Sequence, residues 1–297
     1  MNILFRADAS SSIGTGHIMR DLVLAQQYPS SKIFFATQEL KGNLNSKILE
    51  SGHEVISLLS NNIEELIELI NRLQIEMVII DHYSINYEFE KELKERTNIK
   101  LMVFDDTYEK HYCDVLLNHN IYAEERRYKD LVPLNCEIKC GSKYTLLRTE
   151  FLNEKRNIVA DKERNNIFIS IGGTDHSHIN INILESIKEF NFTIDLVTTS
   201  ANQNLDELQT YCEKYNNINL HVNSQEIARL INYSKFTIIT PSVIANEVTY
   251  LNRPIIAIQT AYNQDDMYKY FMKNNILALK KFENKQLVKL VKEVLNG

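Results

Sequence analysis

Short runs of Ile, Val, Leu and Phe alternate with amphipathic stretches along almost the whole chain. Apolar runs at 2–5, 32–36, 54–58, 77–80 and 100–104 predict five strands. Between them, Ile63, Leu66, Ile67, Ile70 and Leu73 recur at spacings of three and four, which predicts a helix over 63–73. A second series starts after the polar segment 154–166, with strands predicted at 167–171, 193–198, 218–222, 236–239 and 254–258 and a last helix at 283–295. The strands are rich in branched apolar residues and do not alternate with polar ones. Such strands suit a parallel sheet covered by helices on both faces. The expected architecture is α/β: two open parallel-sheet domains, 1–155 and 165–297, joined by a linker at about 155–165 and facing a cleft that holds the ligand. In open parallel sheets ligands bind beyond the carboxyl ends of the strands, so the loops after strands are the places to search.

Composition narrows the function classes. The 297 residues divide into about two domains at ~150 residues each, and 44% apolar with 24% charged residues is the balance of an ordinary folded protein. With 33 Lys plus Arg against 39 Asp plus Glu, the net charge is −6, so no nucleic-acid partner is expected. The four cysteines (Cys113, Cys136, Cys140 and Cys212) are too few and too irregular for a disulfide framework. No run approaches ~18 apolar residues, so no membrane partner is expected. The start, MNILFRAD, enters a strand-like run without signal-peptide architecture. A cytoplasmic monomer is the expectation.

Three loops carry candidate chemistry, and a fourth element, Ala261-Tyr-Asn-Gln-Asp-Asp266 after the last long strand, could complete the same site as the third. After the first strand, Ser10, Ser11, Ser12, Gly14 and Gly16 form a loop that permits close backbone approach, and His17 follows at the start of a helix. A helix N-terminus offers unpaired N–H groups and about half a positive charge to an anionic ligand; a tight turn with a surface histidine is the alternative. The spacing is not G-x-G-x-x-G, so no dinucleotide cofactor is indicated. The second domain opens with Gly172-Gly173-Thr174-Asp175 after a strand, a backbone approach site or a tight left-handed turn. The third loop, Thr240-Pro-Ser-Val-Ile-Ala-Asn-Glu247, puts Ser242 at a helix start where it could help hold a diphosphate, with Glu247 about one and a half turns on, within reach of a ribose. Helix capping is the alternative role for Ser242. Asp81-His82-Tyr83 and Asp105-Asp106 end strands, while His111 with Cys113 and Asp114, His176 with His178, and Cys136 with Cys140 lack zinc spacing. No metal and no cofactor are expected.

Together these segments resemble the UDP-sugar hydrolases of pseudaminic acid biosynthesis. The resemblance rests on 4–21 (LFRADASSSIGTGHIMRD), 79–83 (IIDHY), 140–151 (CGSKYTLLRTEF) and 170–175 (SIGGTD), and it spans both domains up to about Asn263-Gln264. It implies a GT-B fold with UDP held mainly by the C-terminal domain. It implies His17 as catalytic base, Tyr83 and Asn263 as substrate contacts at the reacting centre, and Ser242, Asn246 and Glu247 near the nucleotide. Arg148, within the third matching segment, joins Gly14, Gly16, Gly172, Gly173 and Thr174 among the expected substrate-binding residues. The implied activity is metal-independent hydrolysis of a UDP-linked 2,4-diacetamido-2,4,6-trideoxy sugar to UDP and free sugar.

The chemistry fits a sparse set of groups. Glycosidases that expel an alkoxide-like leaving group use paired carboxylates, whereas UDP departs with its charge spread over a diphosphate. One base to activate water then suffices, and a histidine, with a reference pKa near ~6.5, suits that task. Two other readings use the same fold: a glycosyltransferase that passes the sugar to an acceptor hydroxyl, and a nucleotide-sugar binding protein without turnover.

Overall fold

The computed structural model describes residues 1–10 and 13–296; Ser11 and Ser12 of the first loop lie outside the described residues. The chain divides into two compact units, Met1–Leu146 and Leu147–Gly297. Unit one contains β1 (Asn2–Ala7), α1 (Gly16–Ala25), β2 (Lys32–Gln38), α2 (Asn45–Glu50), β3 (Glu54–Leu58), α3 (Ile63–Arg72), β4 (Met77–Asp81), α4 (Tyr87–Arg96), β5 (Lys100–Phe104), β6 (Val115–Asn118) and β7 (Glu137–Cys140). Its seven strands run parallel in the order β3-β2-β1-β4-β5-β6-β7.

The period-2 geometry of a strand sends neighbouring side chains into different cores. In β1, Ile3, Phe5 and Ala7 enter one apolar cluster and Leu4 enters the other; in β4, Met77 and Ile79 are divided from Val78 and Ile80 in the same way. This is why the strands read as continuous apolar runs. Phe5 stacks on Phe35 of β2, with ring centroids 4.8 Å apart. Helix α3 buries Leu66, Leu69 and Ile70, and its N-cap Asn62 accepts a hydrogen bond from the Glu64 N–H.

Unit two contains α5 (Thr149–Glu154), β8 (Asn166–Ser170), α6 (Asn180–Ile187), β9 (Thr193–Thr198), α7 (Leu205–Cys212), β10 (Ile218–Val222), α8 (Ile227–Tyr233), β11 (Ser234–Ile239), α9 (Val243–Tyr250), β12 (Ile255–Ile258), α10 (Asp265–Lys273), β13 (Leu277–Leu279) and α11 (Asn284–Asn296). Its six parallel strands follow the order β10-β9-β8-β11-β12-β13. Both units thus have Rossmann-like topology.

The division comes earlier than the polar segment suggests. Residues 149–159 are tied to the second unit: Phe151 is fully buried, Glu154 accepts from the Asn232 amide at 2.7 Å, Lys155 donates to the Tyr250 carbonyl at 2.6 Å, and the Val159 N–H donates to Asn232 at 3.1 Å. The charges that read as a linker are anchors.

Candidate active site

In the first unit, β2 and β3 extend to one side of β1 while β4 to β7 extend to the other. The strand order therefore reverses between β1 and β4, the point where open parallel sheets place ligands. Register pairs Ala7 with Asp81, so the loops after β1 and β4 leave the sheet side by side. Within the first loop, Ser10 and Gly14 exchange backbone hydrogen bonds of 2.8 and 3.3 Å, and the Ile13 N–H donates to Ser10 Oγ at 2.9 Å. Gly14 has φ of +91°, a conformation that a side chain would strain. Gly16 opens α1 with clear space where a Cβ would stand. Thr15 supplies no side-chain cap and the first turn carries no acid, so neither competes for the N–H groups at that end.

His17, in the first turn of α1, places Nδ1 2.9 Å from the Asp81 carbonyl oxygen and 3.2 Å from Asp81 Oδ1. A carbonyl oxygen only accepts, so this bond assigns the proton to Nδ1. In the neutral ring, Nε2 is then the proton acceptor. Arg20, one turn along, donates through Nε (2.6 Å) and a terminal nitrogen (2.5 Å) to the Asp81 carboxylate. Its other terminal nitrogen reaches Asp106 at 3.1 Å, and the guanidinium lies 4.8 Å from the Phe104 ring centroid. Burial opposes the charge on Asp81, but the Arg20 guanidinium holds its carboxyl below the usual range.

Tyr83 completes the group. Its ring meets His17 edge-on at 4.9 Å, and its hydroxyl donates to Asp106 at 3.0 Å. Burial of that hydroxyl and the adjacent Asp106 charge raise its pKa, so it stays protonated. Behind the ion pair, burial raises the Asp21 carboxyl and lowers His119 to about 3. His119 is therefore uncharged at neutral pH.

The second unit repeats the topology, with its reversal between β8 and β11. Gly172 has φ of +83°, and a Cβ on Gly173 would lie 2.8 Å from the Thr199 methyl. The Gly173 carbonyl accepts from the hydroxyls of Thr198 and Thr199 at 3.2 and 2.9 Å. The turn and its contact with the end of β9 account for both glycines. Thr174 follows, half-buried.

Beyond β11, Ser242 stands at the N-cap of α9 without making a capping hydrogen bond. Its hydroxyl lies 3.0 Å from that of Thr240. The capping alternative is not realised, and no acidic residue occupies the first turn of α9. Asn246 and Glu247 are buried further along α9. Arg148 grips Glu247 through two hydrogen bonds of 2.9 and 3.1 Å and reaches Glu150 at 2.7 Å. Burial pushes the Glu247 carboxyl up against the pull of Arg148. Asn263 is exposed on the short 262–264 turn after β12, one strand beyond the reversal.

The first unit thus gathers Gly14, Gly16, His17 and Tyr83, and the second gathers Gly172, Gly173, Thr174 and Ser242 at its own reversal. Arg20 and Asp106 emerge from the structure as partners of this site. The signal for Arg20 was its i+3 spacing from His17 on one helix; that for Asp106 was only its place at a strand end, which does not show its partners. The other clusters are structural: His111 bonds Glu90 at 2.8 Å, and His178 meets Glu207 at the surface. Among the described residues no group of three or more His, Cys, Asp or Glu is arranged to hold a metal ion, and no helix is long and apolar enough to cross a membrane.

Comparison with solved structures shows the same two-domain GT-B fold. MurG of Acinetobacter baumannii superposes with a TM-score of 0.68 at 11% identity over 99% of this chain and 91% of that one. The spinosyn rhamnosyltransferase SpnG gives 0.68 at 10% identity over 100% and 92%. No family model matches the chain. Among curated proteins, the UDP-2,4-diacetamido-2,4,6-trideoxy-β-L-altropyranose hydrolase of Campylobacter jejuni is 40% identical over 273 residues, covering 92% of this chain and 97% of its own. With identity at that level over nearly the full length of both proteins, this chain belongs to the UDP-2,4-diacetamido-2,4,6-trideoxy-β-L-altropyranose hydrolase family.

Proposed function

We propose that this protein hydrolyses a UDP-linked 2,4-diacetamido-2,4,6-trideoxy sugar without a metal ion, by attack of water at C1 with inversion. The observation that carries this reading is the His17–Asp81 contact, which puts a proton on Nδ1 beside a buried, ion-paired carboxylate and leaves Nε2 as the nitrogen that can accept one. Nε2 takes a proton from water as the water oxygen bonds to C1, and the C1–O bond to the β-phosphate breaks. A positioned base of this kind contributes about 10²–10⁴ in rate. Departing UDP carries its own charge, and the N-terminus of α9, with Ser242 and Thr240 beside it, is suited to receive the diphosphate. A helix terminus stabilises such charge by roughly 0.3–2 kcal/mol. Asn246 and the Arg148–Glu247 pair frame the nucleotide. Tyr83, whose hydroxyl proton goes to Asp106, offers its oxygen as a hydrogen-bond acceptor to the sugar, and Asn263 is a second substrate contact.

Incubation of the purified protein with a panel of UDP-linked sugars, in EDTA and without acceptor, tests this by NMR. The expected result is release of UDP and free sugar from the diacetamido donor, with the first sugar formed having the opposite anomeric configuration. Turnover only after an acceptor hydroxyl is added would identify a glycosyltransferase. A donor that stays bound but intact over hours would identify a binding protein.

A further inference from the structure

His17 and Tyr83 stand on loops 66 residues apart in sequence, and the spacing between those loops decides whether the two side chains meet one substrate atom. Backbone pairing of β1 with β4 reaches only as far as Ala7 and Asp81. One residue further along each strand, a side-chain contact continues the ladder: His82 Nε2 lies 3.0 Å from Asp8 Oδ2. The Ser84 N–H donates to His82 Nδ1 at 3.1 Å, so Nδ1 is the acceptor and the proton sits on Nε2, donated to Asp8.

Asp8 is built to hold that contact. Both oxygens accept from Arg6, at 2.9 and 2.8 Å, and Oδ1 also accepts from the Gln38 N–H at the end of β2, at 2.7 Å. The carboxylate is almost completely buried and its acceptors are engaged by four donors, so it has no free capacity to act as acid or base. Burial opposes its charge, but His82 and Arg6 hold the carboxyl far below the usual range, so the anchor stays ionised at any working pH.

We propose that His82 is a positioning residue: through Asp8 it locks the loop bearing Asp81 and Tyr83 against the loop that leads to His17, without touching substrate. This rests on the hydrolase reading above. Small misplacements of a reacting group cost up to about 10²-fold in rate, so the effect belongs in kcat. His82→Ala is expected to lower kcat by roughly 10–100-fold while KM and the affinity for UDP stay within a few-fold. His82→Gln, whose amide can again donate to Asp8, is expected to recover most of that loss. Equal impairment in both variants, a rise in KM with kcat unchanged, or kcat within two-fold of the parent in His82→Ala would overturn the proposal.

A readout independent of turnover is available in the unmodified protein. Long-range ¹H–¹⁵N NMR of labelled histidine should show His82 with its proton on Nε2, and a proton on Nδ1 would overturn the clamp even if the Ala variant failed to fold. If the parent protein releases no UDP from any sugar, the hydrolase reading falls, while the tautomer measurement still decides the clamp.

Discussion

At the scale of single residues, the chemistry depends on which nitrogen of His17 carries the proton. Asp81 fixes this from two directions, with its backbone carbonyl and with its carboxylate, and Arg20 keeps that carboxylate ionised and in place. Among the described residues beside it, none offers the proposed base a substitute: Tyr83 is held protonated and Asp106 is engaged by Arg20 and Tyr83. His17→Leu is therefore expected to reduce kcat by at least about 10²-fold while leaving the UDP dissociation constant, measured by calorimetry, within a few-fold. A parallel loss of UDP binding would show that His17 holds phosphate. The place of His17 at a helix start was legible in the sequence because a glycine-containing loop between a strand and a helix is a local pattern; its role as base came from the family resemblance. The role of Asp106 was not legible, since it depends on Arg20 and Tyr83 arriving from two other elements. Ser242 was legible as a helix start, but only the structure shows that its hydroxyl faces Thr240 and leaves the cap unmade.

At the scale of elements, the ends of β5 and β6 rest on a buried polar cluster. Asp105 accepts from the Tyr128 hydroxyl at 2.7 Å, and His111 bonds Glu90 at 2.8 Å. His111 Nε2 lies 3.7 Å from Asp105, a charge contact too long for a hydrogen bond. Burial opposes protonation of His111, but Asp105 and Glu90 push it up to about 9. A histidine whose folded value exceeds its unfolded one stabilises fully below about pH 6.5, and that contribution fades as pH rises through about 9. The loss amounts to at most about 3.5 kcal/mol, from ~1.4 kcal/mol per unit. Chemical unfolding between pH 6 and 9.5 should show this decline, and His111→Gln should flatten it. An unchanged slope in the variant would place the pH dependence elsewhere.

Most elements were readable from sequence because a strand covered on both faces is apolar along its buried length, as in 77–80 and 101–104. β6, β7 and β13 were not read. Each has only three or four residues, too few to establish a period, and β7 is an edge strand with polar Glu137 and Lys139. The division at Leu146/Leu147 is hidden from the sequence for a related reason: Glu154, Lys155 and Val159 contact Asn232 and Tyr250, partners that no local window contains.

At the scale of the whole molecule, each unit has one strand-order reversal, and the sequence-predicted glycine loops fall at both. The first reversal carries His17, the proposed base, whereas the second carries an uncapped helix end and the Arg148–Glu247 ion pair. The proposed chemistry follows from that division: water is activated at carbon while the diphosphate is held as a leaving group. Hydrolysis in ¹⁸O-labelled water tests this most directly. Attack at C1 puts the label in the sugar, and because the free sugar exchanges its anomeric oxygen with solvent, mass spectrometry of the released UDP is the decisive readout, since phosphate oxygens do not exchange during the assay. The account predicts UDP free of ¹⁸O; UDP carrying the label would mean attack at phosphorus and would contradict the role given to His17.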